Sequence, residues 1–203
     1  QFDIDSNIDG CYQEFKYNDI YDVSDKFKMN FKNAGVMRNG LIYTEDVTPK
    51  EIKYMALSKI IQKDGVDEKY YLGNNLEKWN YLKGAKDIIR KAGTSHEYHF
   101  REGAIAFPDS LDKPARTMLT SEGSLNRSTH VIEDPKSKCY RILTPLETER
   151  INGFPDNWTD TGMPQSFRYF CMGNALVVGL IEKMGERLNE IFSEYKPYLV
   201  FHA

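Results

Sequence analysis

Arg141-Ile142-Leu143-Thr144-Pro145-Leu146-Glu147-Thr148-Glu149-Arg150-Ile151-Asn152-Gly153-Phe154-Pro155-Asp156-Asn157-Trp158 is the stretch on which the reading of this chain turns. Thr144 opens a capping box: its hydroxyl accepts from the amide three residues on, and Glu147 reaches back to the Thr144 amide. Pro145 takes the first helical position, where a missing N–H is no loss. Gly153 stops the short helix with a left-handed backbone. Phe154-Pro155-Asp156 reads as a turn, with Phe154 and Trp158 expected to pack beneath the stop. A second marker follows after about fourteen residues, Met172-Gly173-Asn174-Ala175-Leu176-Val177-Val178.

Toward the C-terminus, residues 175–181 are apolar on every helical face, and Leu180, Met184, Leu188 and Ile191 continue as one stripe. A helix that starts this way expects to be surrounded. A small β-rich chain has little to surround it with, which points to a partner domain.

Upstream, the texture is of short β-branched and aromatic runs punctuated by Gly, Pro, Asp and Ser, which predicts antiparallel strands at 97–100, 104–107, 115–121, 129–133 and 139–143. Residues 121–128 and 134–138 read as loops. Asn74 or Asn75 is expected to cap a helix that carries Trp79, Leu82 and Ile89 inward and ends at Gly93. Lys78, Lys83, Lys86, Arg90 and Lys91 would line its outer side, and Arg101 follows. Such a run is either a solvated face or a phosphate-binding one. Thr48-Pro49-Lys50-Glu51, with Ile52, Ala56 and Ile60, predicts a further helix over about 49–62. The first forty-odd residues show no clear period and read as loops.

Composition excludes several classes. An apolar content of 40% in 203 residues argues against disorder throughout. No run of eighteen apolar residues suggests a membrane span, and the start, Gln1-Phe2-Asp3-Ile4-Asp5, lacks the basic-then-apolar order of a secretion signal. A soluble cytoplasmic protein is expected, with no membrane partner. Cys11, Cys139 and Cys171 are few, odd in number and never in Cys-x-x-Cys spacing, so neither a disulfide framework nor a zinc site is suggested. Cys139 lies in a strand-like run and Cys171 in a helix-like one, poor places to present a nucleophilic thiolate. A net charge of −3 argues against a whole-surface nucleic-acid binder, so any such contact must be local.

Taken together, Arg-x-Leu-Thr-Pro-x-Glu, then Glu-Arg-x-x-Gly-Phe-Pro-Asp-x-Trp, then Met-Gly-Asn-Ala-x-Val-Val resembles the last two conserved blocks of DNA cytosine-5 methyltransferases. Nothing resembles that family's Pro-Cys-Gln nucleophile, its glycine-rich cofactor loop or its Glu-Asn-Val block. The resemblance therefore implies the C-terminal, target-recognition part of such an enzyme, acting on duplex DNA after the target base is flipped out of the stack. It implies an α+β fold: a small, mostly antiparallel β target-recognition domain with flanking helices, and a C-terminal helix meant to pack on a doubly wound α/β catalytic domain outside the chain. The corresponding divisions are 1–66, a region of uncertain role; 67–143, target recognition; and 144–203, the two closing helices. Arg141, Thr144, Pro145, Glu147 and Gly153 would be structural.

By the same resemblance, Gly173, Asn174 and Ala175 would line the S-adenosylmethionine site, shared with the catalytic domain; the plain alternative is that Gly173-Asn174 breaks and caps a helix. Lys113-Pro114-Ala115-Arg116-Thr117-Met118-Leu119-Thr120 looks like the family's recognition segment, in which a threonine precedes an aliphatic residue. The Thr117 hydroxyl would then bond a phosphate, unless Thr117 is there only as a strand former. Two loops are natural readers of sequence: one with Thr94, Ser95 and His96, the other with Ser121, Ser124, Asn126, Arg127 and Ser128. Arg127 suits guanine and Asn126 adenine in the major groove. Arg116, Thr120, Lys86 and Arg90 complete the expected DNA-contacting set. No catalytic residue and no metal ligand are expected. His96, His99 and His130 read as ordinary histidines.

Three rivals stand beside this reading. The chain is a natural non-catalytic subunit of a split methyltransferase; or Pro108-Asp109 with Asp134-Pro135-Lys136 forms a metal-dependent nuclease site, against which Pro135 interrupts the expected strand; or the chain is purely structural and binds no DNA.

Overall fold

The computed structural model describes residues 11–14, 18–26, 32–39, 41–50, 53–91, 93 and 97–195. The chain is α+β and forms two compact units, Gln1–Lys53 and Tyr54–Ala203. The expected divisions at 66/67 and 143/144 both fall within the second unit.

In the first unit, where loops are expected, a three-stranded antiparallel sheet forms instead. It consists of β1 (Cys11–Glu14), β2 (Ala34–Arg38) and β3 (Leu41–Glu45) in the order β1-β3-β2, with the short helix α1 (Ile20–Lys26) between β1 and β2. Arg38 pairs with Leu41 across a two-residue connection, and Asn39 adopts the positive φ that such a turn requires. Ile42 and Thr44 point to the buried face, and Leu41, Tyr43 and Glu45 are more exposed, the alternation of a half-covered strand.

The second unit is built around β6 (Val131–Glu133) and β7 (Tyr140–Ile142), an antiparallel pair. Val131 and Ile132 are wholly buried and point to opposite faces, so the pair divides the core in two. Ile132 packs with Leu57, Ile61 and Leu143; Val131 packs with Leu72 and Trp79, a cluster extended by Phe107 and Tyr140.

The helix expected over 49–62 is not formed. Residues 53–56 are irregular and only a single 3-10 turn, Leu57–Lys59, follows; Glu51 and Ile52 lie outside the described residues. The Leu57 and Ser58 amides donate to the carbonyls of Lys113 (2.9 Å) and Leu111 (2.8 Å), so long-range pairing replaces the local helical ladder. The helix expected from Asn74 or Asn75 to Gly93 is half as long. α2 (Leu76–Lys83) ends at Gly84, and β4 (Lys86–Lys91) pairs antiparallel with β5 (Glu97–Glu102). Trp79 is buried as expected, whereas Ile89 is 61% exposed. Residues 104–107 and 115–121 form no strand; they run as irregular segments tied to the core by side chains.

The motif Arg141 to Gly153 is an internal lock. α3 (Pro145–Asn152) starts with the complete Thr144–Glu147 capping box and ends at Gly153 with φ 81°. Arg141, fully buried, donates to both carboxylate oxygens of Glu147 (2.8 Å each) and to Asp134 (2.8 Å). Glu147 also accepts from the Gln62 amide (2.7 Å), and Arg150 donates to the Ile60 carbonyl (2.9 Å), so α3 holds the 57–62 segment in place. Trp158, expected beneath the stop, is 61% exposed, with its ring 6.2 Å from that of Phe154.

α4 (Gln165–Asn174) packs on α3. The helix expected right after Gly173-Asn174 begins later: those two residues close α4, Ala175 is extended, and α5 runs over Val178–Tyr195. A Cβ on Gly153 would stand 3.3 Å from Val178, so the α3 stop also seats the start of α5. Beyond that contact α5 lies open: none of residues 178–193 is buried, and Leu180, Met184, Leu188 and Phe192 are each at least half exposed. No helix among the described residues is long and apolar enough to cross a membrane.

Candidate nucleic-acid interface

β4 and β5 form a two-stranded ribbon whose side chains are almost all accessible on both faces. It exists because Ile88-Ile89 and Tyr98-His99-Phe100 favour extended backbone and pair in register, Ile88 opposite Phe100 and Ile89 opposite His99. One face presents Lys86, Ile88 and Arg90 opposite Glu102, Phe100 and Tyr98; the other presents Asp87, Ile89 and Lys91 opposite Arg101, His99 and Glu97. Arg90 is exposed and lies 3.6 Å from the Phe100 ring centre, which holds its guanidinium flat on the ribbon. Lys86 is half-buried, 3.3 Å from Glu102 and 5.0 Å above the Tyr81 ring. Asp87 bonds His99 (3.0 Å) and Arg101 (3.1 Å), which hold its carboxyl below the usual range. Thr94, Ser95 and His96, at the connection between the strands, lie outside the described residues.

Lys83 departs from the expected basic run. It is buried, its ammonium donates to the Thr129 carbonyl, and burial together with the nearby Arg116 charge pushes its pKa down to about 8, against the pull of Asp109 and Glu122. It belongs to the core.

The segment 116–128 turns most of its polar groups inward, contrary to expectation. Arg116 makes a two-pronged bond to Asp109 (2.6 and 3.1 Å) and donates to the Ser128 carbonyl (3.1 Å), so most of its donors serve the protein itself. Arg127 donates to the carbonyls of Leu82 (2.8 Å), Gly84 (3.0 Å) and Gly103, stapling the α2 end to the chain after β5. Asn126 accepts from the Ser128 amide (2.9 Å), and the Ser124 hydroxyl donates to the Ser121 carbonyl (2.6 Å), so these side chains shape the loop. Ser121 and Ser128 are half-buried. Thr117 and Thr120 are exposed, as are Leu119 (45%) between them and Leu125 (52%) further along the loop. The outward residues missed by sequence reasoning are thus Leu119, Leu125 and Ile89. For none of the three did the local sequence carry a deciding signal, since Ile88-Ile89 suits a helix and a strand alike.

Gly173 presses against the backbone of Leu119 and Thr120, where a Cβ would overlap it. Asn174 is exposed and donates to the Phe170 carbonyl (3.0 Å). Ala175 starts the extended break before α5, and Phe170 and Leu176 are exposed. Asp109 and Asp134, the carboxylates of the nuclease alternative, are each neutralised by a guanidinium, Arg116 and Arg141. Among the described residues no group of three or more His, Cys, Asp or Glu side chains gathers to hold a metal.

The Type II methyltransferase M.Sau3AI of Staphylococcus aureus is 51% identical over 177 residues, which is 87% of this chain and 42% of that protein. The chain therefore spans less than half the length of that relative. A solved structure of the Entamoeba histolytica methyltransferase EhMeth aligns with a TM-score of 0.46 at 19% identity, covering 76% of this chain and 47% of that one. The C-5 cytosine-specific DNA methylase family matches residues 7–190, nearly the whole chain, and to that family the chain belongs.

Proposed function

We propose that this chain is the target-recognition and cofactor-site-completing part of a cytoplasmic restriction-modification enzyme, one that transfers a methyl group from S-adenosylmethionine to cytosine within a specific duplex sequence. The observation that carries the reading is the open apolar face of α5, with Leu180, Met184, Leu188 and Phe192 at least half exposed. A soluble protein keeps such a stripe for a partner surface, and a doubly wound catalytic lobe or subunit offers one. The sequence supports the division of labour: each cysteine follows Gly10, Lys138 or Phe170, never proline, so the nucleophilic thiolate comes from that lobe.

The β4–β5 ribbon is the element suited to the duplex, since a two-stranded ribbon fits the major groove. Arg90 and Lys91 face phosphates or bases, and Thr94, Ser95 and His96 remain candidate readers by their sequence alone. The Thr117 and Thr120 hydroxyls steady the backbone near the flipped nucleotide. Asn174, the extended backbone after it, and exposed Phe170 and Leu176 offer both polar and flat apolar contacts, a fit to a nucleoside-bearing cofactor. When bound, that cofactor supplies the methyl group; this chain's residues hold and orient.

The test mixes the chain with the catalytic lobe of a related enzyme and follows labelled methyl transfer into DNA. Activity only in the mixture supports the reading; methylation by the chain alone overturns it. A natural split subunit and a part of one longer polypeptide give the same result, and the shared chemistry is what the experiment addresses. A purely structural chain would show no salt-sensitive DNA binding.

A further inference from the structure

We propose that α4 is a positioning rod which joins the DNA-facing segment to the cofactor end of the chain, so that a duplex seated on residues 117–125 sets the placement of Asn174 and Ala175. The inference rests on the reading above, in which those two places touch DNA and cofactor.

Two glycines make the junction. Gly123 has φ 80°, and a Cβ there would overlap the ring of Tyr169 on α4. Gly173 follows Tyr169 by four residues, on the same helix face; a Cβ on it would overlap the backbone of Leu119 and Thr120. The segment and the helix therefore meet at two points one turn apart, each at the closest approach that backbone and ring allow. Tyr169 is buried and donates to the Leu143 carbonyl (2.6 Å), and Asn152 donates to the Met172 carbonyl (2.8 Å), so α4 is also anchored to α3 and to Leu143, two residues before it.

The segment has little freedom of its own to absorb a displacement. The Glu122 amide donates to the Leu119 carbonyl (3.0 Å), and the Glu122 carboxylate accepts from the His130 amide (2.8 Å) and faces its ring nitrogen (3.1 Å), with both residues buried. Close-packed parts of this kind pass a shift on rather than damp it. A movement of Thr120 becomes a movement of Gly173, and the exposed Asn174 is the next residue.

The experiment uses the full chain labelled with nitrogen-15 and titrated at low salt with a short cytosine-containing duplex. The amide signals of Asn174 and Ala175 should move with the same concentration dependence as those of residues 117–125. Gly173→Ala should reduce the response at 174–175 by roughly half or more, with the response at 117–125 retained; Tyr169→Phe, which keeps the ring on Gly123, should preserve both. Shifts at 117–125 without any at 174–175 in the unmodified chain would overturn the rod and leave the DNA reading standing. A response at 174–175 that survives Gly173→Ala intact would show direct contact with DNA and also overturn it. No shift at any residue would sink the DNA reading, and the rod with it.

Discussion

Arg90 and Arg127 are the same residue type in neighbouring loops and ribbons, yet their surroundings assign them opposite work. Arg127 donates to three carbonyls, whereas Arg90 lies exposed on Phe100. Arg127→Ala should lower stability by about 1 kcal/mol, because the half-buried carbonyls of Leu82 and Gly84 lose a charge-assisted partner; urea unfolding should show a lower midpoint at unchanged slope. Arg90→Ala should leave the midpoint within about 0.5 kcal/mol, while weakening DNA binding and reducing its salt slope by about 1. Equal stabilities of the two variants would contradict these assignments. Asp134 supplies a pH test. Burial alone would raise its pKa, but the Ser137 and Lys136 amides and the Arg141 guanidinium outweigh this and hold it at about 2. The folded value lies below the unfolded one, so the stabilisation is present above about pH 4 and is lost as pH falls toward 2, on the order of 2 kcal/mol. Stability measured across that window should fall with acid, and Asp134→Asn should flatten that part of the curve.

At the scale of elements, α3 is the piece most completely specified by nearby residues. Thr144→Ala removes the hydroxyl that caps the Glu147 amide, and with it a bond to Gln62 (2.5 Å) that ties in the 57–62 segment. The expected loss is about 1–2 kcal/mol, read as a lower thermal midpoint. Hydrogen exchange should quicken at residues 57–62 as well as in α3; quickening in α3 alone would mean the two do not share the cap. The ribbon contrasts with α3. Ile88 and Ile89 fit a helix stripe as readily as a strand, and only pairing with Tyr98 to Phe100 decides between them.

For the whole molecule, the open face of α5 makes the chain's energetics depend on what else is present. Leu188→Glu places a charge where the side chain is 53% exposed, so the isolated chain should keep its midpoint within about 0.5 kcal/mol. Methyl transfer in the mixture with a catalytic lobe should nevertheless fall by at least roughly tenfold, because a charge buried on docking goes unpaired. Full activity of that variant would remove the face from the docking surface.

The α3 cap and its Gly153 stop, the α+β character and the family were legible in the sequence, since a capping box and a left-handed stop are settled within about five residues of backbone. The hairpin in the first unit was not read from the sequence, where the aromatic and acidic residues show no period and loops are expected. Tertiary structure alone decided the fate of residues 53–62, where the Leu57, Ser58 and Gln62 amides find partners more than fifty residues away, and the inward turn of Arg127, whose carbonyl partners stand 24 to 45 residues from it. It also decided that Gly173 serves first as the point where a helix touches another backbone. Local sequence records what a residue can do with its neighbours; which distant groups compete for the same hydrogen bond is set only when the chain closes on itself.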